Sequence, residues 1–134
     1  MVVGPDMSVI GVGVDLVSLD RARRMLERRG EYALTRLLRP SEAEYLRERA
    51  DPAPHFAARL AAKEAVYKAM QSLPGARAIG WQDIEVLRDN EGRPTILLHG
   101  VAAEVASTRT HVVVHLSLSH THEQAVATAV LEAD

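Results

Sequence analysis

One stretch of this 134-residue chain gathers charges in a pattern that chemistry can use. It reads Phe56-Ala57-Ala58-Arg59-Leu60-Ala61-Ala62-Lys63-Glu64-Ala65-Val66-Tyr67-Lys68-Ala69. Glu64 and Lys68 are four residues apart, so in a helix they share one face. Arg59 and Lys63 share a neighbouring face in the same way. Their companions are mostly alanines, which leave space for a ligand or another backbone. One carboxylate among three cations has the makings of a polyphosphate site: the carboxylate binds Mg²⁺, and the cations neutralise phosphate oxygens that the metal does not reach. The same pattern also describes a solvated helix face laced with weak ion pairs. Taken alone, the segment allows both readings.

Asp15 is the second candidate. It stands near the end of Ser8–Val17, a β-branched run interrupted by Gly11 and Gly13, which reads as a buried strand with close backbone approach. A carboxylate hidden there needs a cation, and a hard metal ion suits it. The alternative is an acidic residue favoured by the dipole of the following helix. The third candidate is His115-Leu116-Ser117-Leu118-Ser119-His120. Period-two alternation puts Leu116 and Leu118 toward the core, and His115, Ser117 and Ser119 on the opposite face. That face either lines a polar groove or is the solvated side of a sheet.

The elements that must position these residues follow from the pattern. Leu19–Arg29 is periodic as a helix and Gly30 stops it. Ser41 and Glu44 suggest a capping box for a short helix through Arg49, with Pro40 just before it. The long helix is expected from about His55 to Ser72, ended by Leu73-Pro74-Gly75. A hairpin follows, with strands around Ile84–Val86 and Thr95–His99 and a turn at Asn90-Glu91-Gly92. A short helix spans Val101–Ser107, and strands His111–Ser119 and Gln124–Leu131 close the chain. Early helices and late antiparallel hairpins indicate an α+β fold in a single domain over residues 1–134.

Composition narrows the function classes. Aromatic residues are only 4%, so the core must be built from Ala, Val and Leu. A net charge of −2 gives no global attraction to nucleic acid or an anionic membrane, and neither is expected as a partner. There are no cysteines, which excludes disulfides and thiolate metal sites. No apolar run approaches the roughly 20 residues of a bilayer span. The first residues do not read as a secretory signal, so a cytoplasmic location is expected; Met7 is an alternative start that would leave residues 1–6 as a loose tail. Walker-type loops and H-E-x-x-H spacing are missing, and Gly11 and Gly13 lack the third glycine of a dinucleotide fingerprint.

These segments, in this order, resemble the holo-acyl-carrier-protein synthase family of 4′-phosphopantetheinyl transferases. Ile10-Gly11-Val12-Gly13-Val14-Asp15-Leu16-Val17 followed by Arg21 resembles the family's G-x-D signature. Arg59-Leu60-Ala61-Ala62-Lys63-Glu64-Ala65 with Lys68-Ala69 matches its R-x-A-A-K-E-A-x-x-K-A signature. Gly92-Arg93-Pro94 and His115–His120 match two later features, and the likeness runs from Met7 to Glu132. It implies a phosphopantetheinyl transferase-like α+β fold, with an antiparallel sheet packed on a long helix. It implies transfer of 4′-phosphopantetheine from coenzyme A to a serine of an apo-acyl carrier protein, releasing 3′,5′-ADP. By position, Asp15 and Glu64 would ligate Mg²⁺, and Lys68 would contact the coenzyme A pyrophosphate. Arg59, His115 and Ser117 would hold the nucleotide end, and Arg21 would face the carrier's acidic helix. Glu64 is the candidate acceptor of the serine proton. The family also implies a homotrimer with active sites between protomers.

The alternative is a non-catalytic coenzyme A- or carrier-binding module of the same fold; the joint presence of Asp15, Glu64 and Lys68 argues against it. Two segments depart from the family. Gln71–Gly80 is longer and less glycine-dense than the usual Gly-Thr-Gly loop, and Ala50–His55 lacks the extra basic residues many members carry there.

Overall fold

The computed structural model describes residues 6–134; the expected loose tail therefore lies, Asp6 apart, outside the described residues. Strand β1 (Ser8–Ser18) leads into helices α1 (Leu19–Arg29), α2 (Glu31–Leu37), α3 (Pro40–Arg47) and α4 (Ala53–Ala69). Three single 3₁₀ turns follow, at Met70–Ser72, Ala76–Ala78 and Trp81–Asp83. The chain then forms β2 (Ile84–Arg88), β3 (Pro94–Leu98), α5 (Gly100–Ala106), β4 (Val112–His120) and β5 (Gln124–Ala133). One antiparallel sheet has the order β1-β5-β4, and β2-β3 is a separate hairpin. This is the expected α+β arrangement, a sheet packed on a long helix.

Small residues make the central contact. On the inner face of β1, a Cβ added to Gly13 would stand 1.9 Å from the carbonyl oxygen of Ala65, and one on Gly11 would stand 1.8 Å from that of Ala69. Only glycine lets α4 lie so close. β5 meets the same helix with Ala125, Ala127, Ala129 and Leu131, all fully buried. The scarcity of aromatics is thus solved by close backbone approach rather than by bulky side chains. Because β1 alternates, Asp15 and Val17 share the inner face with Gly11 and Gly13, while Val12, Val14 and Leu16 point outward and are 55–62% exposed.

Helix α1 begins and ends where its sequence indicates. Ser18 Oγ accepts the Arg21 N–H at 3.2 Å, and Gly30, with φ +48°, donates its N–H to Leu26 O at 2.8 Å.

Three readings need correction. Helix α2 is an element the sequence pattern did not show. The Ser41–Glu44 capping box does not form: Pro40 is the first residue of α3, which moves the helix start back, and Glu42 accepts the Arg39 N–H at 2.9 Å instead. Ser41 donates its hydroxyl to Glu85. Finally, α4 starts at Ala53 and its end tightens into a 3₁₀ turn at Met70–Ser72. Among the described residues no helix is long and apolar enough to cross a membrane.

Candidate active site

The contact between β1 and α4 decides what Asp15 meets. Its side chain is only 13% exposed and faces the helix at Glu64 and Lys68. Lys68 Nζ donates to Asp15 Oδ1 at 3.2 Å and to Val14 O at 3.0 Å. The other oxygen, Asp15 Oδ2, is buried without a hydrogen-bond partner among the described residues. The Glu64 carboxyl is pushed up to about 6, first by burial and then by the neighbouring Asp15 carboxyl; Arg21 and Lys68 pull the other way. The two acids therefore converge, as the sequence reading required.

A half-satisfied pair of neighbouring carboxyls is an arrangement that a divalent cation relieves. Among the described residues no set of three acidic, histidine or cysteine side chains is grouped as a metal site. Two carboxylates with no third protein ligand suit Mg²⁺, which keeps coordination positions for water and substrate phosphates.

Lys63 is not part of this cluster. It is 1% exposed, and its ammonium donates to Glu42 Oε1 at 2.8 Å, to Trp81 O at 2.9 Å and to Ile84 O. Glu42 Oε2 in turn accepts the Val86 N–H at 3.1 Å. Burial depresses the Lys63 pKa, and Glu42 opposes that. The residue ties α3, α4, β2 and the Trp81–Asp83 turn together. Helical spacing placed it beside Arg59, but the β2-β3 hairpin and α3 bury that side of α4.

Arg59 occupies a second centre. It is 5% exposed, with its guanidinium 4.4 Å from the centre of the Tyr45 ring. Arg49 lies 4.2 Å from the same ring and Arg88 5.6 Å. The Nε atoms of Arg49 and Arg59 are buried without hydrogen-bond partners among the described residues. Burial lowers the Arg59 pKa, with Glu42 opposing and Arg88 and Arg49 adding to the fall. His55 is lowered by burial and then by Arg59, Arg49 and Arg88. These groups line a cavity of about 620 Å³ that reaches Ser119 and His120. The acidic residue in its lining, Asp51, is held by Arg23 at 2.9 Å. An anion would satisfy the cavity. Sequence reasoning found Arg59 here and missed Arg49, His55 and Arg88, whose convergence on Tyr45 is tertiary.

His115 and Ser117 lie elsewhere. Both are exposed on the outward face of β4, with His115 Nε2 2.5 Å from Glu132 Oε1. They border a shallow groove with Arg93, Pro94 and Thr95. Within one chain this groove shares no lining residue with the cavity beside Glu64 and Lys68. Arg21 starts a basic stripe on α1 with Arg24, Arg28 and Arg29 around Met25. A further cavity, about 400 Å³, opens directly beside Glu64 and Lys68; Ile79, Gly80 and Trp81 form its far wall.

A largely buried aspartate on β1 that faces α4, a glutamate and a lysine one turn apart on that helix, and a separate cationic cavity together suit a phosphorylated nucleotide. Residues 11–130 match the model of the 4′-phosphopantetheinyl transferase superfamily, and the chain belongs to that superfamily. It is 42% identical over 125 residues to the holo-[acyl-carrier-protein] synthase of Koribacter versatilis, covering 92% of this chain and 98% of that one. It is 46% identical over 123 residues to the enzyme of the same name from Syntrophotalea carbinolica, covering 91% and 94%. The crystal structure of a Bacillus anthracis holo-(acyl-carrier-protein) synthase in complex with CoA (3′,5′-ADP) superposes with a TM-score of 0.77 at 32% identity, covering 96% of this chain and all of that one.

Proposed function

We propose that this protein is a Mg²⁺-dependent holo-acyl-carrier-protein synthase, transferring 4′-phosphopantetheine from coenzyme A to a serine of an apo-acyl carrier protein. The observation that carries the reading is the meeting of Asp15, Glu64 and Lys68 where β1 crosses α4. Asp15 and Glu64 would hold the metal, which would supply charge neutralisation at the diphosphate. Lys68, whose side chain is 52% exposed, is free to leave Asp15 for a phosphate oxygen. Arg59, with Arg49, His55 and Arg88, takes the anionic nucleotide end. The carrier serine oxygen forms a bond to the β-phosphorus, and the bond from that phosphorus to the leaving oxygen of 3′,5′-ADP breaks. Glu64 is the acceptor of the serine proton in this reading, because it is the carboxylate on α4 beside the reacting diphosphate. Phosphoryl-type transfer asks mainly for positioning and charge neutralisation, which these groups supply.

Arg21 and the arginines that follow it on α1 meet the acidic helix of the carrier. The working unit is a homotrimer. Val12, Val14 and Leu16 form an exposed apolar stripe on the outward sheet face that also carries His115 and Ser117. Packing copies on that face buries the stripe. It also brings His115 and Ser117 of one protomer toward a neighbour's nucleotide.

The test is the mass of the carrier. Incubated with coenzyme A and Mg²⁺, an apo-carrier is expected to gain one phosphopantetheine arm. Chelator should abolish the gain and Glu64→Ala should reduce it at least about a hundredfold, the scale of a lost acid–base group. Unchanged mass with bound coenzyme A would point instead to a non-catalytic binding module.

A further inference from the structure

We infer that Lys68 competes with the metal for Asp15: its ammonium holds that carboxylate until a diphosphate draws it away, so the divalent cation and the phosphate donor load the site cooperatively. The inference rests on the transferase reading above. Lys68 reaches from the last turn of α4 across to β1. Both bonds of its Nζ are made there, at 3.2 Å to Asp15 Oδ1 and at 3.0 Å to Val14 O. Among the described residues no other cationic side chain bonds to Asp15. The other cations of α4 are committed elsewhere: Lys63 is buried against Glu42, and Arg59 stacks on Tyr45 with Arg49 and Arg88. Arg21 acts on Glu64 through its charge alone.

Asp15 therefore has one oxygen on an ammonium and one, Oδ2, buried without a hydrogen-bond partner among the described residues. A divalent ion held by Asp15 and a lysine on the same carboxylate carry like charge, and like charges sharing one partner repel. Lys68 is the cation able to yield. Its side chain is half-exposed and borders open space beside α4. A lysine is a compact point charge on a flexible stem, suited to changing partners without losing its proton. A diphosphate gives the ammonium an anionic destination. The group that opposes the metal alone then favours the metal once the donor is bound. Coupling of this kind is reciprocal: the factor by which the donor tightens the metal is the factor by which the metal tightens the donor.

Mn²⁺ alone, titrated into the full chain and followed by electron paramagnetic resonance of the free ion, reads this competition without turnover. Lys68→Met is expected to bind Mn²⁺ about tenfold more tightly than the unaltered protein, the scale on which one neighbouring charge acts at a carboxylate. Lys68→Arg keeps the charge and should stay within about twofold of the unaltered protein. Arg21→Gln removes a charge that faces Glu64 without touching Asp15, and should gain no more than about twofold, as a more distant and screened charge would. With coenzyme A present, the advantage of Lys68→Met should disappear. An affinity of Lys68→Met for Mn²⁺ alone that is equal to or weaker than the parent's, an equal gain in Arg21→Gln, or an undiminished gain with coenzyme A would overturn the competition while leaving the transferase reading intact. Failure of Mn²⁺ to bind the unaltered protein and the variants, with and without coenzyme A, would overturn both.

Discussion

The side chains at the centre answer to one another electrostatically. Glu64 is raised by burial and by Asp15, so the folded metal-free protein binds more protons than the unfolded chain between the ordinary glutamate range and about 6. That contribution to stability is present at low pH and lost as pH rises through about 6. Because His55, held low by burial, changes stability in the opposite direction over the same range, the comparison isolates Glu64: between pH 5 and pH 7 metal-free protein is expected to lose more melting temperature, or gain less, than Glu64→Gln, and parallel profiles would remove this account of the pair. The reading also predicts that Mg²⁺ returns the stability lost at pH 7, because a cation favours the ionised pair. Glu64 and Lys68 were legible as one face because a helix's four-residue spacing is a local fact, but the meeting of Asp15 with them was implied only by the family resemblance, since alternation does not say which element a strand's inner face will meet. Lys63 was misread because spacing says which residues share a face, not which face another element will cover. Substituting Lys63→Met leaves Glu42 buried and unpaired, and should cost about 3–5 kcal/mol in denaturant unfolding.

Between elements, the tightest dependence is that of β1 on α4. A methyl group at Gly13 would stand 1.9 Å from the Ala65 carbonyl oxygen, and backbone cannot yield as a flexible side chain can. Gly13→Ala is expected to destabilise by on the order of 3 kcal/mol, or to prevent folding, and to separate Asp15 from Glu64. A melting temperature within a few degrees of the parent would show that the sheet and helix have room to part. The glycines, the capped α1 and the late strands were readable because each carries its own local signal. Helix α2 was not, since Glu31–Leu37 is too short to establish a period. The segment after α4 likewise gave no sign of its three 3₁₀ turns; Leu73, Ala76 and Ile79 fold inward only because the core is there to receive them.

At the scale of the molecule, one chain brings Asp15, Glu64 and Lys68 together and holds a separate cationic cavity, yet leaves His115 and Ser117 on a sheet face beside exposed Val12, Val14 and Leu16. The proposed assembly through that face would reconcile the two halves. Val14→Glu is expected to give monomers by light scattering and to lose transfer with them; a full-sized, active assembly would move the interface elsewhere. Such association was suggested only by family likeness, because an alternating strand looks the same whether its outer face meets water or a second copy. The proposed cation site at Asp15 and Glu64 supports everything else, and Mn²⁺ probes it directly. Followed by electron paramagnetic resonance in the presence of coenzyme A, the protein is expected to take up one Mn²⁺ per chain, and the Asp15→Asn/Glu64→Gln variant to lose that uptake while keeping its fold. Undiminished Mn²⁺ uptake by the folded double variant would contradict the account.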